Sequence, residues 1–343
     1  MPPSFTAGLQ QAWLSRSALA CSLLPLAALF AALTAARRAL YRLGVLRAER
    51  IDVPVVVVGN LIAGGAGKTP TTLALLALLR REGWHPGVVS RGHARTSVGI
   101  VHVEPDTAAA DAGDEPLLLR LRGGVPVCVG RNRVAAARAL RARHPQVDIV
   151  VCDDGLQHLR LSRDVQVLVF DERGTGNGWL LPAGPLREPL PYELPARSVV
   201  VYNAERPSTP LPGHLAHRAL AGVVPLSDWW RGAAPRPLAL CELVGRPLLA
   251  AAGVARPQRF FAMLRKAGLT IVEHPLPDHH DFARLSWPAG SSDVIVTEKD
   301  AVKLRPERAG GARLWVAALD FRFDADFERD LLALLPPRPE HRA

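Results

Sequence analysis

The chain has 343 residues, of which 48% are hydrophobic and 22% are charged, a composition typical of a folded globular protein. Its formal net charge of +10 favours anionic partners: nucleotides, phosphorylated substrates or acidic lipid surfaces. The arginines are scattered, and neither a zinc-finger nor an aromatic-rich RNA-binding signature occurs, so we expect no nucleic acid as a partner.

The first predicted element is the uncharged stretch Ala18–Ala36, which as a helix of about 20 residues can cross a bilayer core. Arginines follow it directly, as at the cytoplasmic flank of a membrane segment: Arg37, Arg38, Arg42, Arg47 and Arg50. A cleaved signal peptide and a buried core helix interrupted by Pro25 are the alternatives. We predict a membrane-associated helix that spans the bilayer or lies in its interface, and we favour the interfacial form.

Short β-branched runs then alternate with helical patterns. The predicted strands are Val53–Val58, Gly87–Val89, Val125–Val129, Asp148–Cys152, Val165–Phe170 and Ser198–Val201. The predicted helices between them are Thr71–Arg81 and Arg133–Arg143. Strands that alternate with helices predict an α/β fold, in which a mostly parallel sheet has helices on both faces.

A second α/β pattern follows residues 206–237, which are rich in Pro, Gly and Ser and are typical of a linker. Its predicted elements are Leu248–Ala252, Pro257–Ala267, Leu269–Glu273, Asp293–Thr297 and Leu314–Ala318. The predicted organisation is a hydrophobic helix with a basic flank at 1–50, a first domain at 51–205, the linker at 206–237, a smaller domain at 238–335 and a disordered tail at 336–343.

The strongest motif is a glycine-rich loop between strand Val53–Val58 and helix Thr71–Arg81. It predicts a P-loop NTPase fold, because glycines let backbone N–H groups surround phosphates at a helix N-terminus. A strict P-loop has glycine where this chain has Ile62. The paired glycines resemble the variant loop of ParA- and MinD-like ATPases. Those proteins carry a second lysine just before the paired glycines, and this chain has Ala63 at that position. No guanine-recognition motif occurs, which favours ATP over GTP. The predicted nucleotide-binding residues are Ile62, Ala63, Gly64, Gly65, Ala66, Gly67, Lys68, which can reach the phosphates, and Thr69, which can bind Mg²⁺.

Acidic residues follow a later strand, where Asp148–Cys152 ends in Asp153 and Asp154. An acid at this place in a P-loop protein binds Mg²⁺ directly or through water, although an ordinary turn has the same pattern. We predict that one of the two acids serves the metal.

Three other polar segments have local chemistry that leaves their role open. Asp114 and Glu115 begin a helical pattern and suit a helix cap better than a proton acceptor. Two adjacent histidines at Asp278–Asp281 suggest a metal, but neighbouring side chains on a strand point to opposite faces, so one histidine at a cleft is preferred. Thr297–Asp300 follows a strand, at the edge where α/β sheets place ligands.

Together these segments resemble the tetraacyldisaccharide 4'-kinase family, the lipid A 4'-kinases of Gram-negative bacteria. The hydrophobic N-terminus also resembles the family's membrane-associated helix, whereas His93 and Ala94 stand where the family often has Tyr-Gly. The matching segments are Val53–Pro70, Val88–Arg95, Gly113–Pro116, Asp153–His158, Gly176–Glu188, Asp278–His280 and Val296–Lys303.

The resemblance implies two α/β domains with a cleft between them and an ATP-dependent kinase that acts on a glycolipid, tetraacyldisaccharide 1-phosphate. It implies that the enzyme works at the cytoplasmic face of the bacterial inner membrane and forms lipid IVA. It further implies that Asp114 is a general base assisted by His279, and that Arg187 faces phosphate. Glu188 would organise Mg²⁺ with Asp153 or Asp154.

Two other functions remain as alternatives. A membrane-associated switch ATPase or GTPase would hydrolyse its nucleotide without a lipid acceptor, but its signature lysine or guanine motif is missing. A membrane-anchored binding module without activity fits less well, because the loop keeps its Gly-Lys-Thr and the downstream acids.

Overall fold

The computed structural model describes residues 5–288 and 290–338. Its α-helices are α1 Phe5–Ala12, α2 Ala18–Ser22, α3 Leu24–Arg42, α4 Lys68–Arg81, α5 Ala109–Ala112, α6 Asp114–Gly123, α7 Arg133–Arg143, α8 Leu226–Trp230, α9 Pro237–Leu243, α10 Pro257–Lys266, α11 Glu298–Ala301 and α12 Ala325–Leu334. Its strands are β1 Val55–Gly59, β2 Pro86–Ser90, β3 Val101–Val103, β4 Val127–Val129, β5 Ile149–Asp153, β6 Val165–Asp171, β7 Ser198–Asn203, β8 His214–Leu215, β9 His217–Pro225, β10 Leu248–Ala252, β11 Ile271–Pro275, β12 Asp293–Thr297 and β13 Arg313–Arg322.

The chain forms two compact units, each built from separate stretches of sequence. Unit 1 contains the chain up to Ser90, Asn132–Ala216 and the chain from Phe323. Unit 2 contains Arg91–Arg131 and His217–Arg322.

In unit 1, six strands follow the order β2-β5-β1-β6-β7-β8, and every neighbouring pair is parallel. All residues of β1, β2, β5 and β7 are buried, as expected for apolar, β-branched strands in a sheet covered on both faces. Helix α4 begins after the glycine-rich loop and buries its leucines. The parallel order places the carboxyl ends of β1, β5, β6 and β7 at one edge of the sheet.

In unit 2, five strands follow the order β11-β10-β12-β13-β9, in which only the pair of β13 and β9 is antiparallel. Helix α10 buries Phe260, Phe261 and Leu264 in a core formed with β10 and β12. Strands β3 and β4 of this unit form an antiparallel pair, and α6 follows the glycine Gly113. The mostly parallel α/β architecture confirms the predicted fold class.

The N-terminal apolar segment forms two helices rather than one, because the chain turns at Leu23, before Pro25. Helix α3 is long and apolar enough to cross a membrane, and a single residue, Ala27, is buried in it. Its outward leucines, among them Leu26, Leu29 and Leu33, are more than half exposed. This exposure disfavours the alternative of a buried core helix.

The two units divide the chain differently from the predicted domains. Residues 91–131 lie in unit 2 although the pattern placed them in the first domain, and α12 belongs to unit 1. The predicted linker at 206–237 contains β8, β9 and α8. Strand β9 pairs with β13 although its first three residues are exposed, so its sequence lacks the continuous apolar run of a buried strand. Residues 339–343 of the predicted tail lie outside the described residues.

Candidate active site

A row of polar side chains lies at the carboxyl edge of the sheet in unit 1. Asn60 follows β1, Asp153 ends β5, Asp171 ends β6 and Asn203 ends β7. All four are at most 4% exposed. Buried polar side chains need hydrogen-bond partners, and for Asn60 and Asn203 these include carbonyl groups of the glycine-rich loop.

The carbonyl groups of the loop are held by side chains from several strands. Asn60 Nδ2 donates to Gly64 O at 3.2 Å, and Asn203 Nδ2 donates to Ala66 O at 3.3 Å. Arg173, which is paired with Asp171, donates to the carbonyls of Ala63 and Gly65 at 3.3 and 2.9 Å. With their carbonyls bound in this way, the loop residues can turn N–H groups toward an anion.

Gly67 is the loop position that most requires glycine. Its φ is 91°, and a Cβ atom there would lie 2.2 Å from Asn203 Nδ2. Ile62, where a strict P-loop has glycine, is fully buried and pairs with Leu186 as an isolated antiparallel bridge. Its side chain therefore packs in the core.

Lys68 lies among the groups predicted to surround phosphate. Its Nζ donates to Asn60 Oδ1 at 3.2 Å and lies 3.6 Å from Asp154 Oδ1. Arg187 Nη1 donates to the same oxygen of Asp154 at 3.2 Å. Burial would raise the pKa of Asp154, but the positive charges of Lys68 and Arg187 lower it below its usual value. Asp154 is therefore an ionised carboxylate beside the loop.

The adjacent acid, Asp153, has different surroundings. It is 1% exposed, and its Oδ1 accepts a hydrogen bond of 2.9 Å from the Thr72 hydroxyl of α4. Thr69, the second residue of α4, is also buried. Asp153 thus joins β5 to the helix that follows the loop, whereas Asp154 faces the cations.

Glu188 lies beside the same loop but has other partners. Its Oε1 accepts from Gln157 Nε2 and its Oε2 from Arg38 Nη1, each at 3.0 Å. Gln157 also donates to Asn60 O at 3.3 Å, and the backbone of Arg187 donates to Leu61 O at 2.7 Å. These contacts fix Arg187 and Glu188 against the loop.

A second cluster, which we call the Asp114 cluster, lies in unit 2. It consists of Asp114, Glu115, Asp278, His279, Lys299, Asp300 and Lys303. Asp114 is the first residue of α6, after the N-cap Gly113, and its Oδ2 lies 3.0 Å from His279 Nδ1 and 3.3 Å from Lys303 Nζ. The side chain of Asp114 does not cap α6, so the local preference for a helix cap gives way to the contact with His279.

The other members of the Asp114 cluster support this contact. Lys303 is 5% exposed and joins Asp114 to the fully buried Asp300, whose Oδ1 lies 3.3 Å from its Nζ. Asp300 Oδ2 accepts from the backbone N–H of Gly253 at 3.1 Å and from the Thr297 hydroxyl at 2.7 Å. Burial would raise the pKa of Asp114, but the hydrogen bond with His279 and the charge of Lys303 lower it. The carboxylate is therefore ionised at neutral pH.

The adjacent histidines do not share a partner. His280 Nε2 lies 2.6 Å from the Ser286 hydroxyl, while His279 faces Asp114. Among residues 5–288 and 290–338, no group of three or more His, Cys, Asp or Glu side chains is arranged to hold a metal.

The structure also brings in residues that the sequence did not single out as site residues: Asn60, Gln157, Arg173, Asn203, Lys299 and Lys303. Two signals could have identified some of them. Asn60 and Asn203 are polar residues at the ends of apolar parallel strands, and Lys299 lies in the polar segment after β12. Arg173 and Lys303 had no comparable local signal.

The chain is similar to known kinases over nearly its whole length. The sequence profile of the family described as "Tetraacyldisaccharide-1-P 4'-kinase" matches residues 19–336. The tetraacyldisaccharide 4'-kinase of Leptothrix cholodnii is 58% identical over 337 residues, which are 97% of each chain. That of Methylibium petroleiphilum is 57% identical over 340 residues, covering 97% of this chain and 95% of the other. A crystal structure of LpxK from Aquifex aeolicus in complex with ATP has a TM-score of 0.78 at 26% identity, covering 93% of this chain and 100% of the other.

Proposed function

Since this chain belongs to the tetraacyldisaccharide-1-P 4'-kinase family, we propose that it transfers the γ-phosphate of ATP to the 4'-hydroxyl of tetraacyldisaccharide 1-phosphate. The product is lipid IVA, an intermediate of lipid A. Membership confirms the predicted family and kinase class and disfavours the switch ATPase or GTPase. The contact between Asp114 and His279 is the observation that supports phosphoryl transfer to an alcohol. A switch ATPase or GTPase does not need a base to deprotonate an alcohol.

The glycine-rich loop binds the phosphates of ATP through the N–H groups at the start of α4. Lys68 places its ammonium on the transferred phosphate, where negative charge spreads over the equatorial oxygens. Arg187 contacts the same carboxylate as Lys68, that of Asp154, and supplies a second cation. Together they neutralise charge, which is the main task of a protein in phosphoryl transfer.

Mg²⁺ is the metal that this donor set fits. Hydroxyl and carboxylate oxygens are the ligands that it prefers, and one or two carboxylates suffice when phosphates and water complete its coordination, so a group of three acids is not required. The residues that would provide these oxygens are Thr69 and one or two of the acids Asp153, Asp154 and Glu188. Mg²⁺ held by these residues would offset the negative charge of the phosphates. Asp154, ionised beside Lys68, is our first choice for direct contact, since Asp153 Oδ1 is already bonded to Thr72.

Asp114 accepts the proton of the 4'-hydroxyl. The proton passes to the carboxylate as the new O–P bond forms and the bond from the γ-phosphorus to the ADP oxygen breaks. An alcohol loses its proton readily only late in this process, so a carboxylate with a low pKa suffices as the acceptor. His279 orients Asp114 through their hydrogen bond.

The acceptor is a glycolipid, and the exposed leucines of α3 suit a membrane surface. They form an apolar face on a helix that can also cross a bilayer by its length. The arginines at its end favour anionic headgroups on the cytoplasmic side. We therefore place the enzyme at the cytoplasmic face of the bacterial inner membrane.

A direct test incubates the purified full-length chain with γ-labelled ATP and tetraacyldisaccharide 1-phosphate in mixed micelles. We expect the label in the 4'-phosphate of the lipid and ATP consumption that depends on the acceptor. ATP hydrolysis that is equally fast without the lipid, with all label in inorganic phosphate, would overturn the proposal in favour of a switch.

Lys68→Ala serves as the loop variant in this assay, and Lys266→Ala, at an exposed position in α10, is its charge-matched control. Loss of the Lys68 cation should cost several kcal/mol of transition-state stabilisation. A Lys68→Ala variant that melts normally and keeps more than about a tenth of the rate, a loss under about 1.4 kcal/mol, contradicts the assignment of the loop.

A further inference from the structure

The ring of His279 has a defined partner on each of its two nitrogen atoms. Nδ1 lies 3.0 Å from Asp114 Oδ2, and Nε2 lies 3.3 Å from Lys299 Nζ. A neutral imidazole has one N–H donor and one acceptor nitrogen, and the partners decide which nitrogen carries the proton.

Lys299 can serve His279 only as a donor, because an ammonium has no acceptor atom. Its Nζ also lies 3.3 Å from Glu115 Oε1 and 3.4 Å from Asp278 Oδ1. Burial would lower the pKa of Lys299, but Glu115, Asp278 and Asp114 raise it overall, so the ammonium is charged. An ammonium beside Nε2 opposes a proton on that nitrogen.

We propose that Lys299 is a positioning residue for the transfer reaction, which holds His279 in its neutral Nδ1–H tautomer. In this tautomer Nδ1 donates to Asp114 Oδ2, and the orientation of the carboxylate is fixed. Among the described residues, the hydrogen bonds and ion pairs of the Asp114 side chain fall on Oδ2. Oδ1 is then the oxygen that accepts the proton of the substrate.

The charges around His279 come from four parts of unit 2. Asp114 and Glu115 lie on α6, Lys299 on α11, and Lys303 just after α11. Asp278 precedes the histidine, with Oδ1 3.9 Å from Nε2, and the ring of His93 lies 5.5 Å from the His279 ring. Asp278 favours a proton on Nε2, but it is farther from Nε2 than Lys299 Nζ is, and its own closer contact is with Lys299.

The use of lysine in this chain agrees with a special role for Lys299. Four of the 42 basic residues are lysines: Lys68, Lys266, Lys299 and Lys303. Three of these belong to the loop or to the Asp114 cluster. A compact ammonium can contact several groups at once, whereas a planar guanidinium imposes its own fork geometry, so arginine does not replace lysine there.

The tautomer can be observed in full-length protein labelled with ¹⁵N-histidine, by two-bond ¹H–¹⁵N correlation near neutral pH. His279→Gln identifies the signals. We expect the Nδ1–H pattern in the wild-type protein and a shift toward the Nε2–H pattern in Lys299→Met, with no change in Lys266→Met. A wild-type ring that carries its proton on Nε2, or a pattern unchanged by Lys299→Met, overturns the proposal. A wild-type ring with its proton on Nε2 overturns the proposal even if the Lys299→Met variant fails to fold.

The kinetic readout rests on the proposed function. Lys299→Met should lower kcat by about tenfold or more and leave ATP binding unchanged, because His279 then no longer fixes the orientation of the Asp114 carboxylate. An unchanged kcat would count against a positioning role. Failure of the wild-type protein to phosphorylate the lipid would instead defeat the proposed function and leave the spectra to judge the tautomer.

Discussion

Two residues of the candidate site, Asp154 and His279, have backbone angles that L-amino acids rarely adopt. Their φ angles are 49° and 59°. Such conformations cost of order 1–3 kcal/mol each and persist only where surrounding contacts enforce them. Here the contacts are the cations around Asp154, and for His279 its backbone bond to Gly253 and its ring bond to Asp114. Surrounding contacts therefore override the usual backbone preference at the two positions where we propose chemistry.

The two acids at the end of β5 should respond differently to substitution. Asp154→Asn keeps the shape but removes the charge, so we expect a large loss of single-turnover rate and weaker Mg²⁺ dependence with an unchanged melting temperature. Asp153→Ala removes the partner of the Thr72 hydroxyl and should destabilise the fold by about 1–3 kcal/mol. Thr72→Val is the matched control and should reproduce part of that loss. Equal effects of Asp153→Ala and Asp154→Asn on rate and stability would contradict this division of roles.

Asp114 and His279 should behave as a unit. We expect Asp114→Ala to depress turnover strongly, His279→Ala to do so less, and the double variant to be little worse than Asp114→Ala, because the joint contribution is lost once. ATP binding should survive in all three. Single-turnover rates and thermal melting are the measurements, and rate losses that simply add would show that the contact is not functional.

The acid limit of activity should depend on Lys303. The folded-state pKa of Asp114 is lowered, so its carboxylate is ionised at neutral pH and becomes protonated only as the pH falls through that low value. Lys303→Met removes a positive charge 3.3 Å from Oδ2 and should raise this pKa. The acid limb of the kcat/KM profile then moves to higher pH. If the acid limb of the Lys303→Met profile stays at the wild-type pH, Lys303 is not a cause of the lowered pKa of Asp114.

At the scale of elements, strongly periodic segments were predictable and others were not. The bounds of α7, β10 and β12 agree with the sequence pattern, because a full apolar run or helical stripe defines each. The predicted strand at Leu314–Ala318 is longer in the structure, β13, because pairing with β9 extends it. Strand β9 itself is stabilised by that partner and not by its own composition.

The exposed face of α3 should determine membrane binding. Replacing Leu26, Leu29 and Leu33 by Gln keeps helix propensity but removes the apolar face, so partition to vesicles of inner-membrane lipids should fall several-fold. Leu238→Gln, at an exposed leucine of α9, is the control and should bind as the wild type does. Sedimentation with vesicles measures this, and unchanged binding of the triple variant would place the membrane contact elsewhere.

At the scale of the whole molecule, the glycine-rich loop was predictable from sequence because its residues are contiguous. The Asp114 cluster was not, since residues 91–131 and 217–322 form it together. Local chemistry favoured a helix cap for Asp114, and the resemblance alone raised it to a base. Contacts between distant segments, such as those of Lys303 and Asp114, have no local pattern from which to infer them.

The end of α3 contacts residues beside the glycine-rich loop, since Arg38 pairs with Glu188 and Arg37 donates to Gln157 O at 3.3 Å. Deleting residues 1–50 therefore removes more than the proposed membrane-binding helix, because the deletion also removes two cations from the groups beside the loop. We expect the truncated enzyme to need less Mg²⁺ even with a short-chain, water-soluble acceptor, because Arg38 no longer competes for Glu188. The triple leucine variant should keep the wild-type Mg²⁺ dependence with that acceptor. If the truncated enzyme and the triple leucine variant both show the wild-type Mg²⁺ dependence, α3 affects lipid binding alone. If only the truncated enzyme differs, α3 influences both lipid binding and Mg²⁺ affinity.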